Sequence, residues 1–312
     1  MDERFVMMNR LTGADIDSAA ECLAGLLRPV TVIPLDAGSV RAEGGGHCQV
    51  WLALEFMQKS GSIYARGAAN FLATHRNDGS LPAAGVVAAL RGPRALAWAW
   101  AAKSLGAALT VVVPSYVPSA EVGRLRRMRA RVRVAPPGID PYSDADWYAD
   151  ATGGLRVGHG RDPLVAAGMG SIVDEIYSQV KGLDTVLVCG IDDEMVAGIN
   201  IAGNRHGVRT VAVREESEGE STGRSAEPFE QAKGTIVSQG SLPGVGQDSR
   251  PTMLALSAEN IHAAHQEIWT RYHLAAASHA AAGLAALTTR AYRPIAGERL
   301  CIILCTAGQL TP

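Results

Sequence analysis

Three groups of side chains in this sequence are of types that could do chemistry. Tyr64 closes the run Leu54-Glu55-Phe56-Met57-Gln58-Lys59-Ser60-Gly61-Ser62-Ile63-Tyr64 and is followed by Ala65-Arg66-Gly67-Ala68. A phenol can serve as an acid/base group or as a hydrogen-bond donor to a ligand. It can equally be a filler whose hydroxyl is tied to a neighbour. Arg91 and Arg94 lie in Leu90-Arg91-Gly92-Pro93-Arg94. Each is a fork suited to a carboxylate, either of a ligand or of the protein's own acids. Asp192, Asp193 and Glu194 follow one another in Cys189-Gly190-Ile191-Asp192-Asp193-Glu194-Met195. Such acids can bind a cationic ligand or a metal, or they can cap a helix, whose N-terminus carries partial positive charge. The histidines, including His159, His273 and His279, show no metal-ligand spacing such as HExxH. No metal site is expected.

The elements that must position these groups follow from composition and pattern. The chain has 312 residues, 47% hydrophobic and 19% charged, with a net charge of −2. That describes a folded globular protein and gives no global field for nucleic acid or membrane. The start, Met-Asp-Glu-Arg-Phe, has no basic segment followed by an apolar run, so no signal peptide is predicted. No apolar stretch suits a bilayer span. Cys22, Cys48, Cys189, Cys301 and Cys305 are scattered, odd in number and form no CxxC. Reduced thiols in a cytoplasmic protein are the expectation.

Thr110–Pro114, Thr185–Gly190, Thr210–Val213 and Leu300–Leu304 read as buried parallel strands, being short, apolar and rich in β-branched residues. Ala95–Leu105, Pro163–Val180 and Ala258–Leu287 read as helices between them. Alternation of this kind predicts an α/β fold with a parallel sheet. Segments 214–234 and 234–251 read as surface loops. Arg124, Arg126, Arg127, Arg129, Arg131 and Arg133 read as the solvated face of a helix running into an edge strand. Without interleaved aromatic residues they are a poor nucleic-acid patch.

The segment around Tyr64 resembles the signature of the fold-type II pyridoxal-phosphate (PLP) enzymes, the tryptophan synthase β-like proteins, in particular the threonine dehydratase and serine racemase branch. There Leu-Glu, a short linker, Gly-Ser-Phe-Lys and Arg-Gly-Ala follow one another, and the lysine forms the Schiff base. Asp162-Pro163-Leu164-Val165-Ala166-Ala167-Gly168-Met169-Gly170-Ser171 is similar to the family's Asp-Pro-Leu-x-x-Ala-Gly-Gln-Gly-Thr. Arg28-Pro29-Val30-Thr31 through Leu35 resembles its Arg-Thr-Pro-Leu strand, and Ala83–Val87 the strand before its substrate loop. The departures fall at the positions that carry the family's chemistry. Tyr64 stands where the lysine is expected. Leu90–Arg94 stands for Ser-Ser-Gly-Asn-His, and Pro93 has no backbone N–H to offer. Ile191-Asp192-Asp193-Glu194 stands for the glycines that wrap the phosphate, so up to three acids would oppose a phosphate dianion. Cys305-Thr306-Ala307-Gly308-Gln309 is loosely similar to the Ser-Gly-Gly-Asn that meets the pyridine nitrogen, which makes Thr306 a candidate ligand contact.

The resemblance implies a two-domain α/β architecture with parallel-type sheets flanked by helices and an interdomain cleft. Its larger domain would comprise residues 1–75 plus 153–312 and its smaller one residues 76–152. Glu55 and Arg66 match scaffold positions. With the amine, the ring contact and the phosphate glycines replaced together, no PLP is expected. Two functions stay open. One is a pseudoenzyme, acting as a binding protein or as a homodimer or partner of an active homologue. The other is a PLP-independent lyase, dehydratase or cyclase acting on a small amino-acid-like molecule, with Tyr64 as acid/base and Arg91 or Arg94 holding an anion. Neither a nucleic-acid nor a membrane partner is expected. Arginines left by a departed anion would need compensation, so Arg91 or Arg94 is expected within ion-pair reach of Asp192, Asp193 or Glu194.

Overall fold

Short apolar runs alternate with helical ones, and the backbone follows. The computed structural model describes residues 11–36, 40–158, 162–216 and 250–308. Helix α1 (Gly13–Leu23) opens with a capping box between Thr12 and Asp15. Strands β1 (Val32–Pro34) and β2 (Gln49–Ala53) precede α2 (Tyr64–Asn77). Then come β3 (Val86–Ala89), α3 (Gly92–Leu105), β4 (Leu109–Val113), α4 (Ser119–Arg127), β5 (Arg131–Val134), α5 (Pro141–Thr152) and β6 (Leu155–Arg156). After these follow α6 (Pro163–Gly170), α7 (Ile172–Gln179), β7 (Thr185–Cys189), α8 (Asp193–Arg205), β8 (Arg209–Glu215) and β9 (Thr252–Leu256). Helices α9 (Ala258–Tyr272) and α10 (Ala282–Thr288) and strand β10 (Arg299–Ile303) complete the order. His159, Gln309 and most of both expected loops lie outside the described residues.

The chain divides into two compact units, one drawn from residues 1–30, 55–175 and 192–205, the other from 31–54, 176–191 and 206–312. The first contains a parallel sheet in the order β5-β4-β3-β6. The second contains a sheet in the order β1-β2-β10-β7-β8-β9, parallel except for the β1–β2 pair. Every residue of β4 and of β7 is buried, so these strands read as unbroken apolar runs without alternation. This is the α/β architecture expected from the sequence. The units are drawn at other points of the chain than 76–152 against the remainder. Helix α2 packs on both α3 and α6, and α6 packs on α8, which gathers these helices with the four-stranded sheet.

Two expected helices are interrupted. The run 163–180 breaks at Ser171, whose hydroxyl donates to the Gly168 carbonyl (2.8 Å) and accepts from Arg66 (3.2 Å). A hydroxyl bonding back into its own helix bends it. The run 258–287 ends its first helix at His273, which takes a left-handed conformation with φ 54°. Ala276 then pairs with Ala307 in an isolated bridge before the chain turns helical again. The arginine-rich segment is the end of α4 running into β5, an edge strand, as expected.

Glycines let the helices of the first unit approach closely. A Cβ on Gly168 would lie 2.5 Å from the Arg66 carbonyl oxygen, and one on Gly198 would lie 1.9 Å from the Ala166 carbonyl oxygen. Neither neighbour can give way, because both are backbone. The first contact brings α6 onto α2 and the second brings α8 onto α6. Beneath them Arg66 forms a fork to Glu55, with Nε 2.7 Å from Oε1 and the second guanidinium nitrogen 3.1 Å from Oε2, and a further pair with Glu175 at 2.7 Å. Burial opposes the charge on Arg66, but the two carboxylates outweigh it and hold the guanidinium above its ordinary value. Glu55 and Arg66 are scaffold residues, as the sequence implies.

Gly198→Ala should therefore lower stability by about 1–3 kcal/mol or more. Gly123→Ala, where a Cβ meets nothing nearer than Arg127 at 3.5 Å, should be neutral or stabilising. Urea unfolding of the two variants checks the contrast.

Candidate functional site

Several helices of the first unit begin around one guanidinium. Tyr64 is the first residue of α2 and is half-buried. Arg94 lies in the first turn of α3, next to Pro93, which suits the first helical turn because that turn's N–H groups have no intrahelical acceptor. Asp162 caps α6 by accepting from the Leu164 (2.9 Å) and Val165 (3.3 Å) N–H groups. Asp192 caps α8 by accepting from Met195 N–H at 3.1 Å. Its other oxygen accepts from Arg94 at 2.9 Å. Glu194 accepts from Arg94 through one oxygen and from the Asp162 backbone N–H through the other, at 2.6 Å. The Arg94 guanidinium carbon lies 5.7 Å from the centroid of the Tyr64 ring.

The arrangement is a buried ion cluster at helix N-termini. Asp192 and Glu194 are 6% and 0% exposed, so their charges are largely out of water. Partial positive charge at the starts of α6 and α8 favours acids there, and Arg94 supplies a full one. Burial opposes the charge on Arg94, yet Glu194 and Asp192 outweigh it and raise its affinity for the proton. For Glu194 the balance goes the other way. Desolvation exceeds the attraction of Arg94 and pushes its carboxyl up to about 7. Burial raises Asp162 as well, against the lowering effect of the N–H groups it caps.

The sequence candidates separate into those the structure gathers and those it does not. Tyr64, Arg94, Asp192 and Glu194 come together. Asp193, the first residue of α8, is exposed, so two of the three acids face Arg94 rather than three. Arg91 is exposed at the extended N-cap of α3, where the capping acceptor is the Glu121 carboxylate, 2.5 Å from Gly92 nitrogen. The expectation that Arg91 or Arg94 meets the acidic loop holds through Arg94 alone. Thr306 belongs to the second unit. It is buried, its hydroxyl lies 3.7 Å from the Cys305 sulfur, and its carbonyl accepts from Ala277 N–H. Sequence reading missed Asp162 as a site residue, although an Asp before Pro at a helix start is a capping signal. It also missed that His279 meets Cys189 and Cys305.

The chain belongs to the pyridoxal-phosphate dependent enzyme family, whose sequence profile matches residues 26–306. It is 31% identical to the L-threonine ammonia-lyase of Thermotoga maritima over 193 residues, 62% of this chain and 47% of that protein. It is 26% identical to the serine racemase of Rattus norvegicus over 293 residues, 88% of this chain and 87% of that one. Some matched relatives are thus spanned to less than half their length. A solved structure of a pyridoxal 5′-phosphate-dependent aspartate racemase superposes with a TM-score of 0.76 at 23% identity, covering 96% of each chain. At that identity the likeness concerns the fold, which is that of the fold-type II enzymes.

The residues in place do not suit the cofactor that the family name implies. A tyrosine at position 64 has no amine to condense with an aldehyde. A phosphate needs free N–H groups and open space at a helix start. Here Asp192 takes the Met195 N–H of α8, Glu194 takes the Asp162 N–H, and two carboxylates fill the inner side of the loop.

Two outcomes follow. Arg94→Ala leaves Asp192 and Glu194 buried without their partner and should destabilise by about 3–5 kcal/mol. The exposed Arg129→Ala should stay within about 0.5 kcal/mol of the parent, with chemical denaturation as the check. For Glu194, a folded value of about 7 against an ordinary 4.5 means that the folded state holds the proton more tightly than the unfolded one. Its contribution to stability is complete below pH 4.5 and is lost as pH rises to about 7. Relative to Glu194→Gln, the parent should lose on the order of 3 kcal/mol across that interval in urea midpoints converted to free energy.

Proposed function

We propose that this chain is a member of the threonine dehydratase and serine racemase branch that has given up PLP chemistry and works as a binding or partner protein, as a homodimer or with an active homologue. The observation that carries the reading is Arg94 held between Asp192 and Glu194 at the start of α8. Acids in that place supply internally the negative charge that a bound anion would bring, so Arg94 has its counter-charges without a ligand. Tyr64 supports the reading, since no imine forms on a phenol. So does Pro93, which removes a donor from the segment resembling the substrate loop.

A PLP-independent lyase, dehydratase or cyclase acting on a small amino-acid-like molecule is the second reading. It rests on Tyr64 being half-buried beside Arg94, a placement open to acid/base work. It requires Arg94 to hold a substrate anion, and the ion pairs with Asp192 and Glu194 compete directly with that task. Tyr64→Phe separates the two. It should leave a partner function intact and abolish turnover if Tyr64 is the acid/base group.

The protein as purified should show no aldimine band at roughly 410–430 nm and no PLP-linked lysine after borohydride. Tyr64→Lys alone should also remain colourless, because the anion site stays occupied by carboxylates. Tyr64→Lys combined with Asp192→Gly and Glu194→Gly should gain PLP affinity. Aldimine formation by the parent, or by the single lysine variant, would overturn the reading.

A further inference from the structure

The second unit gathers three metal-ligating side chains that no spacing motif announces. Cys189 ends β7, Cys305 lies two residues past the end of β10, and His279 sits in the short 3-10 turn at 278–281. Strands β7 and β10 are parallel neighbours with Ile302 opposite Leu187. Counting along that register sets Leu304 opposite Cys189, so Cys305 follows directly. The Cys189 and Cys305 sulfurs are 3.0 Å apart. One ligand atom from each of Cys189, His279 and Cys305 lies within 4.8 Å of the others. Both cysteines are 1% exposed, while His279 is only partly buried.

The turn carrying His279 is held in place by backbone pairing with the segment after β10. Ala277 N–H donates to the Thr306 carbonyl, Gly308 N–H donates to the Ala275 carbonyl, both at 2.8 Å, and Ala276 bridges Ala307. His279 is thereby fixed beside Cys305. The Thr306 hydroxyl is directed at the Cys305 sulfur, the kind of outer contact that orients a thiolate ligand.

We propose that Cys189, Cys305 and His279 form a three-ligand site for a soft or borderline divalent cation, of which zinc is the type. Two sulfurs and one imidazole are a donor set suited to zinc rather than to calcium or magnesium. With zinc–sulfur bonds of about 2.3 Å at tetrahedral angles the two sulfurs would stand about 3.8 Å apart, so they need to open by less than about 1 Å from their present separation. The fourth position falls to water or to a small donor ligand, because the remaining neighbours supply no further Cys, His, Asp or Glu among the described residues. This site uses none of Tyr64, Arg94, Asp192 and Glu194, so it stands or falls separately from the function proposed above.

The test uses the full-length protein, reduced and kept free of oxygen, titrated with cobalt(II) and then with zinc. One equivalent of cobalt should give a thiolate-to-metal charge-transfer band, and zinc should displace it. Cys189→Ser and Cys305→Ser should each abolish the band. Cys301→Ser, a buried cysteine of β10 outside the cluster, should keep it. His279→Ala, at a partly buried position, should weaken zinc at least about tenfold in competition with a chelator. Far-ultraviolet circular dichroism confirms that each variant is folded. If a serine variant does not fold, the histidine variant decides. Absence of a stoichiometric band, affinity unchanged in His279→Ala, or a band that survives loss of both cysteines would overturn the proposal. So would a Cys189–Cys305 disulfide, seen by mass spectrometry in protein purified with reductant.

Discussion

One guanidinium with two buried carboxylates organises the first unit. Arg94 has 21% of its side chain exposed, while Asp192 and Glu194 have almost none, so the two carboxylates depend on Arg94 rather than on water. Arg94 offsets part of the burial cost of each carboxylate, although for Glu194 burial and the neighbouring acids still raise the carboxyl. The requirement reaches well beyond the three residues. Glu194 must sit where α8 starts, α8 must start beside α6, and α3 must deliver Arg94 from its first turn. The bare backbone crossings at Gly168 and Gly198 allow those helices to approach closely enough. Arg66, forked on Glu55 and tied to Glu175 and Ser171, locks α2 against the same framework.

Helix starts that converge normally offer their free N–H groups to an anion from outside. Here the anions come from the chain. Asp192 caps its own helix and pairs with Arg94, while Glu194 reaches to the start of α6 and accepts the Asp162 N–H. The scaffold of the family is retained, and in the function proposed above its anion-binding task is met by side chains. Retention of fold alongside exchange of site chemistry is the usual relation between the two, since the packing of helices on sheets does not depend on what the helix ends hold.

Much of this could be read from the sequence. Strands β4 and β7 were legible because fully buried parallel strands appear as unbroken β-branched runs. The pairing of an arginine at 91 or 94 with the acidic loop followed from the resemblance together with charge balance, since arginines left by a departed anion need a counter-charge. Which arginine and which acids could not be read. Arg91 and Arg94 would share a face if both were helical, but Arg91 is the extended N-cap and turns outward. Asp192, Asp193 and Glu194 look alike in sequence, and only the point where α8 begins sends Asp193 to solvent. The break at His273 was hidden because an Ala-rich run favours helix locally, while the bridge of Ala276 to Ala307 is a contact between distant segments. The cysteines and His279 escaped for the same reason. Their proximity comes from strand adjacency and not from spacing.

A buried ion cluster is not the most stable way to fill such a space. Apolar side chains of the same volume often do as well or better, because charges lose their hydration when buried. What an apolar filler could not do is accept hydrogen bonds. The Met195 N–H at the start of α8 and the Asp162 N–H at the start of α6 both find their acceptors in this cluster. Left unpaired in a buried setting, each would cost on the order of 1–3 kcal/mol. Asp192 and Glu194 supply those acceptors, and two buried acids in turn call for a cation. Arg94 meets that requirement from the neighbouring helix, and its planar fork can engage both carboxylates at once. The same three side chains thus satisfy the N–H groups of two helix starts and one another.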